Sequence, residues 1–114
     1  MSKLTPPERL RQRADFLRLA ARGKKIAKPG FVLQAIRGGQ AGHLRIGFTA
    51  TKKIGNAVIR NRAKRRLREA ARLALAAREL PGVELVLIAR RETAKLPFST
   101  LQGNLNKALA EALA

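Results

Sequence analysis

Lys52, Lys53, Arg60, Arg62, Lys64, Arg65, Arg66 and Arg68 crowd around a single acid in the stretch "KKIGNAVIRNRAKRRLRE", residues 52–69. Guanidinium groups fork bidentately onto phosphate or carboxylate and lysine ammoniums act as point charges, so this set is suited to holding anions. Like charges at helical spacing repel one another, and a helix carrying them is handicapped until something negative lies alongside. Projected at about 100° per residue, Ile59, Ala63, Leu67, Ala70, Ala74 and Ala77 fall on one apolar arc. Arg60, Asn61, Lys64, Arg65, Arg68 and Arg72 take the opposite side as a basic ridge. Arg62 and Arg66 lie nearer the apolar edge, where their stems can cover the core while the heads emerge. Glu69 can pair with Arg65 or Arg66 but cannot neutralise the row. Helices solvated for their own sake tend to alternate charge sign; this one does not, which favours a polyanionic partner.

The entry to that helix adds a second anion-binding element. Gly55 permits a tight turn, Asn56 is a suitable N-cap, and the free N–H groups beyond it carry the positive end of the helix dipole, an arrangement that can hold a phosphate beside Lys52 and Lys53. Such a mix reads phosphate backbone more than bases. Asn61 is the one group on the ridge suited to a base edge or a sugar hydroxyl.

A catalytic site within the protein is hard to find. His43 is the only histidine and stands in a Gly-rich turn, with no Ser-His-Asp set, no paired carboxylates at helical spacing and no metal-ligand cluster in the sequence. The seven acids are scattered among arginines, each with a plain salt-bridge role. There is no cysteine, which removes disulfides, zinc knuckles and thiol catalysis and fits a reducing cytoplasm. No apolar run reaches membrane-spanning length and the N-terminus is charged throughout, so a cytoplasmic chain with no membrane partner is expected. With 25 Lys and Arg against 7 Asp and Glu, the formal charge is +18. Self-repulsion of that size is tolerated when a polyanion offsets it, and nucleic acid is the leading candidate.

The 114 residues fit one domain, 1–114, with residues 1–7 flexible. A helix is expected from Pro7 to Arg22, ending at Gly23, with Leu10, Ala14, Leu17 and Ala21 as its core stripe and Phe16 at the stripe's edge. "GKKIAKPG" reads as a basic linker. "FVLQAI" (31–36) and "LRIGFTAT" (44–51) read as strands joined by a Gly-rich turn and paired antiparallel, the second with Leu44, Ile46, Phe48 and Ala50 facing the core. The basic helix runs from Ala57 to Arg78 and "LPG" ends it. "VELVLIA" (83–89) is too apolar for an exposed strand and belongs inside the sheet. The last helix, 99–114, buries Leu101, Leu105, Ala108, Leu109 and Ala112, with Ser99 or Thr100 as cap. The order makes an α+β sandwich with one small mixed sheet.

"KKIGNAVIRNRAKRRLRE", preceded by "LRIGFTATK" and by "ADFLRLAARG" and "FVLQAI", resembles the protein subunit of bacterial ribonuclease P, with "RNR" at Arg60–Arg62 as signature. The resemblance runs in order from Asp15 and Phe16 to "LIAR" at Leu87–Arg90. It implies a ribosomal protein S5 domain 2-like fold of about four strands and three helices, in α-β-β-β-α-β-α order, with a left-handed crossover against the usual rule. It implies an accessory subunit of an endoribonuclease whose RNA, with Mg²⁺, performs the cleavage that removes the 5′ leader from precursor tRNA. No catalytic residue and no cofactor or metal is then expected in the protein, and one protein is expected per RNA. Lys52, Lys53, Arg60, Asn61, Arg62, Lys64, Arg65 and Arg68 carry over as contacts to the catalytic RNA. Phe16, Ala20, Val32, Gln34, Thr49 and Thr51, with Lys52 and Lys53 beside them, carry over as the leader cleft. Phe16 then becomes a stacking platform. Ala20 and Gln34 stand where the family often has aromatics, which shifts leader binding here toward backbone charge. A structural ribosomal-type RNA protein fits the composition equally well; a helix-in-groove DNA binder fits less well, since a strand leads into the basic helix.

Overall fold

The apolar segment Val83–Ala89 organises the sheet. A computed structural model describes residues 8–38, 44–76 and 82–114. The elements are β1 (Glu8–Arg9), α1 (Arg13–Arg22), β2 (Lys24–Lys28), β3 (Phe31–Arg37), β4 (Leu44–Thr49), a short 3₁₀ helix (Lys52–Ile54), α2 (Ala57–Ala76), β5 (Val83–Ala89), a second 3₁₀ helix (Arg91–Ala94) and α3 (Phe98–Leu113). The sheet order is β1-β4-β5-β3-β2, so β5 is central. It runs parallel to β4 and antiparallel to β3, which makes α2 the crossover between two parallel strands.

Both faces of β5 are covered. Val83, Leu85, Leu87 and Ala89 join the main core with Phe31, Leu33, Leu44 and Ile46, under α2 and α3. Val86, on the other face, packs with Leu10 and Leu19 beneath α1, with Phe16, Ile36 and Ile88 around them. Helices therefore lie on both sides of the sheet. The expected core stripe of α3 is buried throughout, as are Ala63, Leu67, Ala70 and Ala74 of α2. Ile59, placed on the same arc, is 38% exposed because it lies in the first turn beyond the sheet's cover; Ala77, Arg78, His43 and residues 1–7 lie outside the described residues.

Several expectations are corrected. The strands at 31–36 and 44–51 do not pair, because β5, which buries apolar side chains on both faces, inserts between them. "KKIAK" is no linker but strand β2, whose Ile26 is buried against β3 as an edge hairpin. The sheet thus has four strands of five to seven residues plus two-residue β1, which hydrogen-bonds beside β4. That pairing delays α1 to Arg13 and turns its face: Ala14, Leu17 and Ala21 are exposed, Leu19 is buried, and Leu10 is buried from outside the helix. α3 begins a residue early on Pro97, whose carbonyl accepts from Thr100 and Leu101, so neither Ser99 nor Thr100 caps it.

Candidate RNA interface

Asn56 starts α2 as expected. Its Oδ1 accepts from the Ile59 N–H at 3.0 Å and its carbonyl from Arg60 N–H at 2.9 Å. The N–H groups of Ala57 and Val58 have no partner within the helix ladder and face outward at its positive end. Gly55 turns the chain with φ 151°, and a side chain there would strike Ile59, its Cβ 2.9 Å from Cγ2. Lys52 and Lys53 are exposed on the 3₁₀ turn before it.

Along α2 the ridge is largely free. Asn61, Arg62, Arg65 and Arg68 are exposed, and Arg60 and Lys64 half-buried. Among the described residues none of these basic side chains makes an ion pair. Glu69 pairs with Arg72, Oε2 to Nη2 at 2.6 Å, and not with Arg65 or Arg66. That bond holds the Glu69 carboxyl below its ordinary range and removes Arg72 from the free row. Arg66 departs further from expectation: its head does not emerge but folds inward, donating to Ala94 O at 2.8 Å and to Leu96 O, with its guanidinium carbon 6.0 Å from the Phe98 ring centroid. Arg66 is a structural tie between α2 and the segment after β5.

The opposite sheet face carries a cleft. Thr49, Ile88, Val32 and Ala27 are cross-strand partners and form one row, whose Ile88 packs at the edge of the cluster beneath α1 while Thr49 and Val32 are half-buried and Ala27 exposed. The next row, Gly47, Val86, Gln34 and Lys25, runs beneath the helix. Phe16 and Ala20, one turn apart, flank the first row; Phe16 is half-buried and Ala20 exposed. The Phe16 ring lies on the Gly47 backbone. Gln34 is only 6% exposed, so it belongs to the floor under α1, while Thr51, past the strand, is exposed. The structure therefore brings Phe16, Ala20, Val32 and Thr49 to one cleft, with Gln34 below it. Ile88 and Ala27 complete the row and were missed by sequence reasoning; the alternation Glu84, Val86, Ile88 along β5 was the available signal.

An ion-pair square fixes α1 over this face. Arg18 forks onto Glu84 at 2.6 and 2.9 Å and reaches Asp15 at 2.9 Å, while Arg45 binds Glu84 at 2.8 Å and Asp15 at 3.3 Å. The hydrogen bonds from Arg18, ahead of the attraction of Arg45, hold both carboxyls below their ordinary values. Asp15 and Arg18 occupy one flank of α1 and Phe16 and Ala20 the other, so the square sets where the cleft wall stands.

Cleft and ridge lie on opposite faces of one sheet and meet at Lys52 and Lys53, where β4 passes into α2. Among the described residues no group of three or more His or acids could hold a metal ion, and no helix is long and apolar enough to cross a membrane. A small basic α+β module with a free cationic helix face has the charge pattern of the nucleic-acid-binding class of proteins. The chain matches the ribonuclease P family model over residues 4–113, and it belongs to that family. It is 51% identical over 104 residues to the ribonuclease P protein component of Gluconacetobacter diazotrophicus, covering 91% of this chain and 90% of that one. Identity to the Paramagnetospirillum magneticum protein component is 49% over 106 residues, covering 90% and 80%. The solved ribonuclease P protein of Thermotoga maritima superposes with a TM-score of 0.77 at 31% identity, over 91% of this chain and 96% of that one.

Proposed function

We propose that the chain binds the catalytic RNA of ribonuclease P through the α2 ridge and the 5′ leader of precursor tRNA through the cleft beside α1. It is a protein component of ribonuclease P, an accessory subunit of an endoribonuclease acting in tRNA 5′ processing, with cleavage carried out by RNA. The observation that carries the two-surface reading is the ridge of Arg60, Lys64, Arg65 and Arg68, free of acidic partners among the described residues, on the sheet face opposite the cleft beside α1. One polyanion on each face can be bound at once, and the Lys52–Lys53 turn joins the two paths.

The protein's part is binding and positioning. Mg²⁺ serves the RNA-catalysed hydrolysis, one protein joins one RNA, and the particle works in the cytoplasm. Neutralising phosphates with protein cations lessens the counterion demand of the RNA, so the largest benefit falls at low Mg²⁺. Adding the chain to the matching catalytic RNA and precursor tRNA at low Mg²⁺ tests this reading. Faster cleavage and tighter precursor binding than mature-tRNA binding are expected; no gain in either favours a purely structural RNA-binding role.

A further inference from the structure

Little apolar contact holds α1 to the sheet. Leu19 is the only residue of the helix that is fully buried; Phe16 is half-buried, and Ala14, Leu17, Ala20 and Ala21 are exposed. Both ends of the helix are tethered through the backbone. Leu10 N–H donates to Ile46 O at 2.8 Å just before it, and at its end the chain passes through Gly23 straight into β2. A Cβ on Gly23 would stand 3.3 Å from both N and O of Ala35, so this end lies against the β3 backbone. Tethered ends prevent translation and leave rotation of the helix about its own axis, with Leu19 as pivot. Such a roll raises one flank as it lowers the other, so the flank carrying Asp15 and Arg18 dictates the height of Phe16 and Ala20.

The ion-pair square fixes that flank. Arg45 and Glu84 are register partners on β4 and β5, so the lower half of the square is built into the sheet, while Asp15 and Arg18, one turn apart, form the upper half. The Asp15 and Glu84 side chains are only 18% and 19% exposed, where ion pairs are screened less than on the open surface. Arg45 and Glu84 stand four residues along their strands from Thr49 and Ile88, roughly 13 Å away. A leader lying along the Thr49 row therefore does not touch the square.

Resting on the function proposed above, we infer that Asp15, Arg18, Arg45 and Glu84 are positioning residues for leader recognition. By fixing the roll of α1 they set the height of the Phe16 and Ala20 wall over Thr49, Ile88 and Val32, and with it how much more tightly precursor tRNA is bound than mature tRNA. A roll of about 20° moves a side chain at the helix surface by roughly 2 Å. A gap of about 1 Å already forfeits up to about half of a contact's attraction, so a small roll is enough to undo stacking on the ring. Two guanidiniums face two carboxylates, so the square adds no net charge, and its role is separable from electrostatic attraction for RNA.

The test uses the sign of the charge change. Removing an acid makes the chain more positive, which by itself strengthens RNA binding, whereas loss of the square should weaken selection for the leader. Holoenzyme is reconstituted from the intact chain and the catalytic RNA, and affinities for precursor and mature tRNA are measured from low to moderate salt. Affinity of the chain for the catalytic RNA alone is the standard for folded protein. In Glu84→Gln and Asp15→Asn the precursor-to-mature affinity ratio should fall about fivefold or more, the low end of what one stacked base contributes, with catalytic-RNA affinity held. Asp15→Asn, on the helix and not the central strand, carries the test if Glu84→Gln folds poorly. Arg18→Lys keeps the charge but not the fork spanning Asp15 and Glu84, so its ratio should fall likewise; Lys107→Gln should change nothing. A ratio at or above the parental value in both acid variants overturns the inference. Catalytic-RNA affinity that falls in step with precursor affinity makes the square a fold contact only and overturns it too. A parental ratio in Arg18→Lys, with the salt slope lowered by about one in Arg18→Gln, makes Arg18 a phosphate contact and overturns its positioning role. A parent chain with no preference for precursor overturns the proposed function and this inference with it, whereas a parental preference that the variants leave intact removes this inference alone.

Discussion

Phe16 lies so close over Gly47 that a Cβ placed there would stand 2.7 Å from the ring's Cζ. The absence of a side chain on β4 is what seats the ring, and the seated ring stays half-buried at the edge of the cluster that also takes in Ile88. Phe16 is thus both a packing residue and a cleft wall, and two substitutions separate the roles. Phe16→Leu should keep most stability in urea denaturation while losing about 1–3 kcal/mol of leader affinity if a base stacks on the ring. Unchanged leader affinity in Phe16→Leu, with stability lost in Phe16→Ala, assigns Phe16 to the core alone.

Gly47→Ala tests the same contact from the other partner. The added methyl meets the Phe16 ring and, at 3.1 Å, Leu10 Cβ. Overpacking of this kind costs about 1–3 kcal/mol, and the displaced ring should reduce leader affinity without altering affinity for the catalytic RNA. A variant as stable as the parent shows that α1 can lift freely.

The ion-pair square makes stability depend on acid. Asp15 and Glu84 both titrate below their ordinary values of 3.8 and 4.5 in the folded chain. Their contribution is therefore fully present above those values and is lost as pH falls through the lower folded ones. Urea midpoints should be flat on this account from neutral pH to about 5 and drop below about 4.5. In Glu84→Gln, Arg18 and Arg45 lose their shared partner, so the variant should be less stable at pH 7 and its acid drop shallower. An identical drop in parent and variant removes the square as its source.

On the ridge, Lys64→Ala and Arg65→Ala should each weaken binding of the catalytic RNA and lower its salt slope by about one for each phosphate no longer neutralised. Folding should hold, since neither side chain has a partner among the described residues. Binding measured from low to moderate salt decides; parallel slopes mean that the RNA does not lie on this face.

Arg66→Lys should behave differently from the ridge variants. It keeps the charge but loses the planar fork that spans Ala94 O and Leu96 O. A loss of about 1.5–3 kcal/mol in stability is expected, with the intrinsic salt slope for RNA unchanged once unfolded protein is allowed for. A stable variant with a flattened slope makes Arg66 an RNA contact instead.

Continuous patterns were legible in the sequence and competitive choices were not. Leu101 to Ala112 and Ala63 to Ala74 repeat at helical spacing over several turns, so their buried faces followed directly. β5 read as interior because no polar face remained to expose. Which strand it would separate is set by non-local competition, and the turn residues between 37 and 44 pointed to the wrong partner. Ala14, Leu17 and Ala21 formed a convincing apolar stripe, yet β1 pairing fixed the chain just before α1 and put Leu19 inward. The free ridge cations were legible from the missing acids, whereas the fold of Arg66 onto carbonyls near residue 95 needed the third dimension.

The central place of β5 also governs the order in which the chain can fold as it is synthesised. Up to Ala76 it can form the β2–β3 hairpin and the short β1–β4 pairing, but no strand ladder joins these two pieces until Val83–Ala89 emerges and inserts between them, leaving only α1 to bridge them. The basic helix is made before the strand that anchors it, so a nascent chain exposes its cations without a finished domain beneath them. Sheet closure is consequently a late, single event, and ribosomes stalled before residue 89 should carry a protease-sensitive chain whatever the intrinsic helicity of α2.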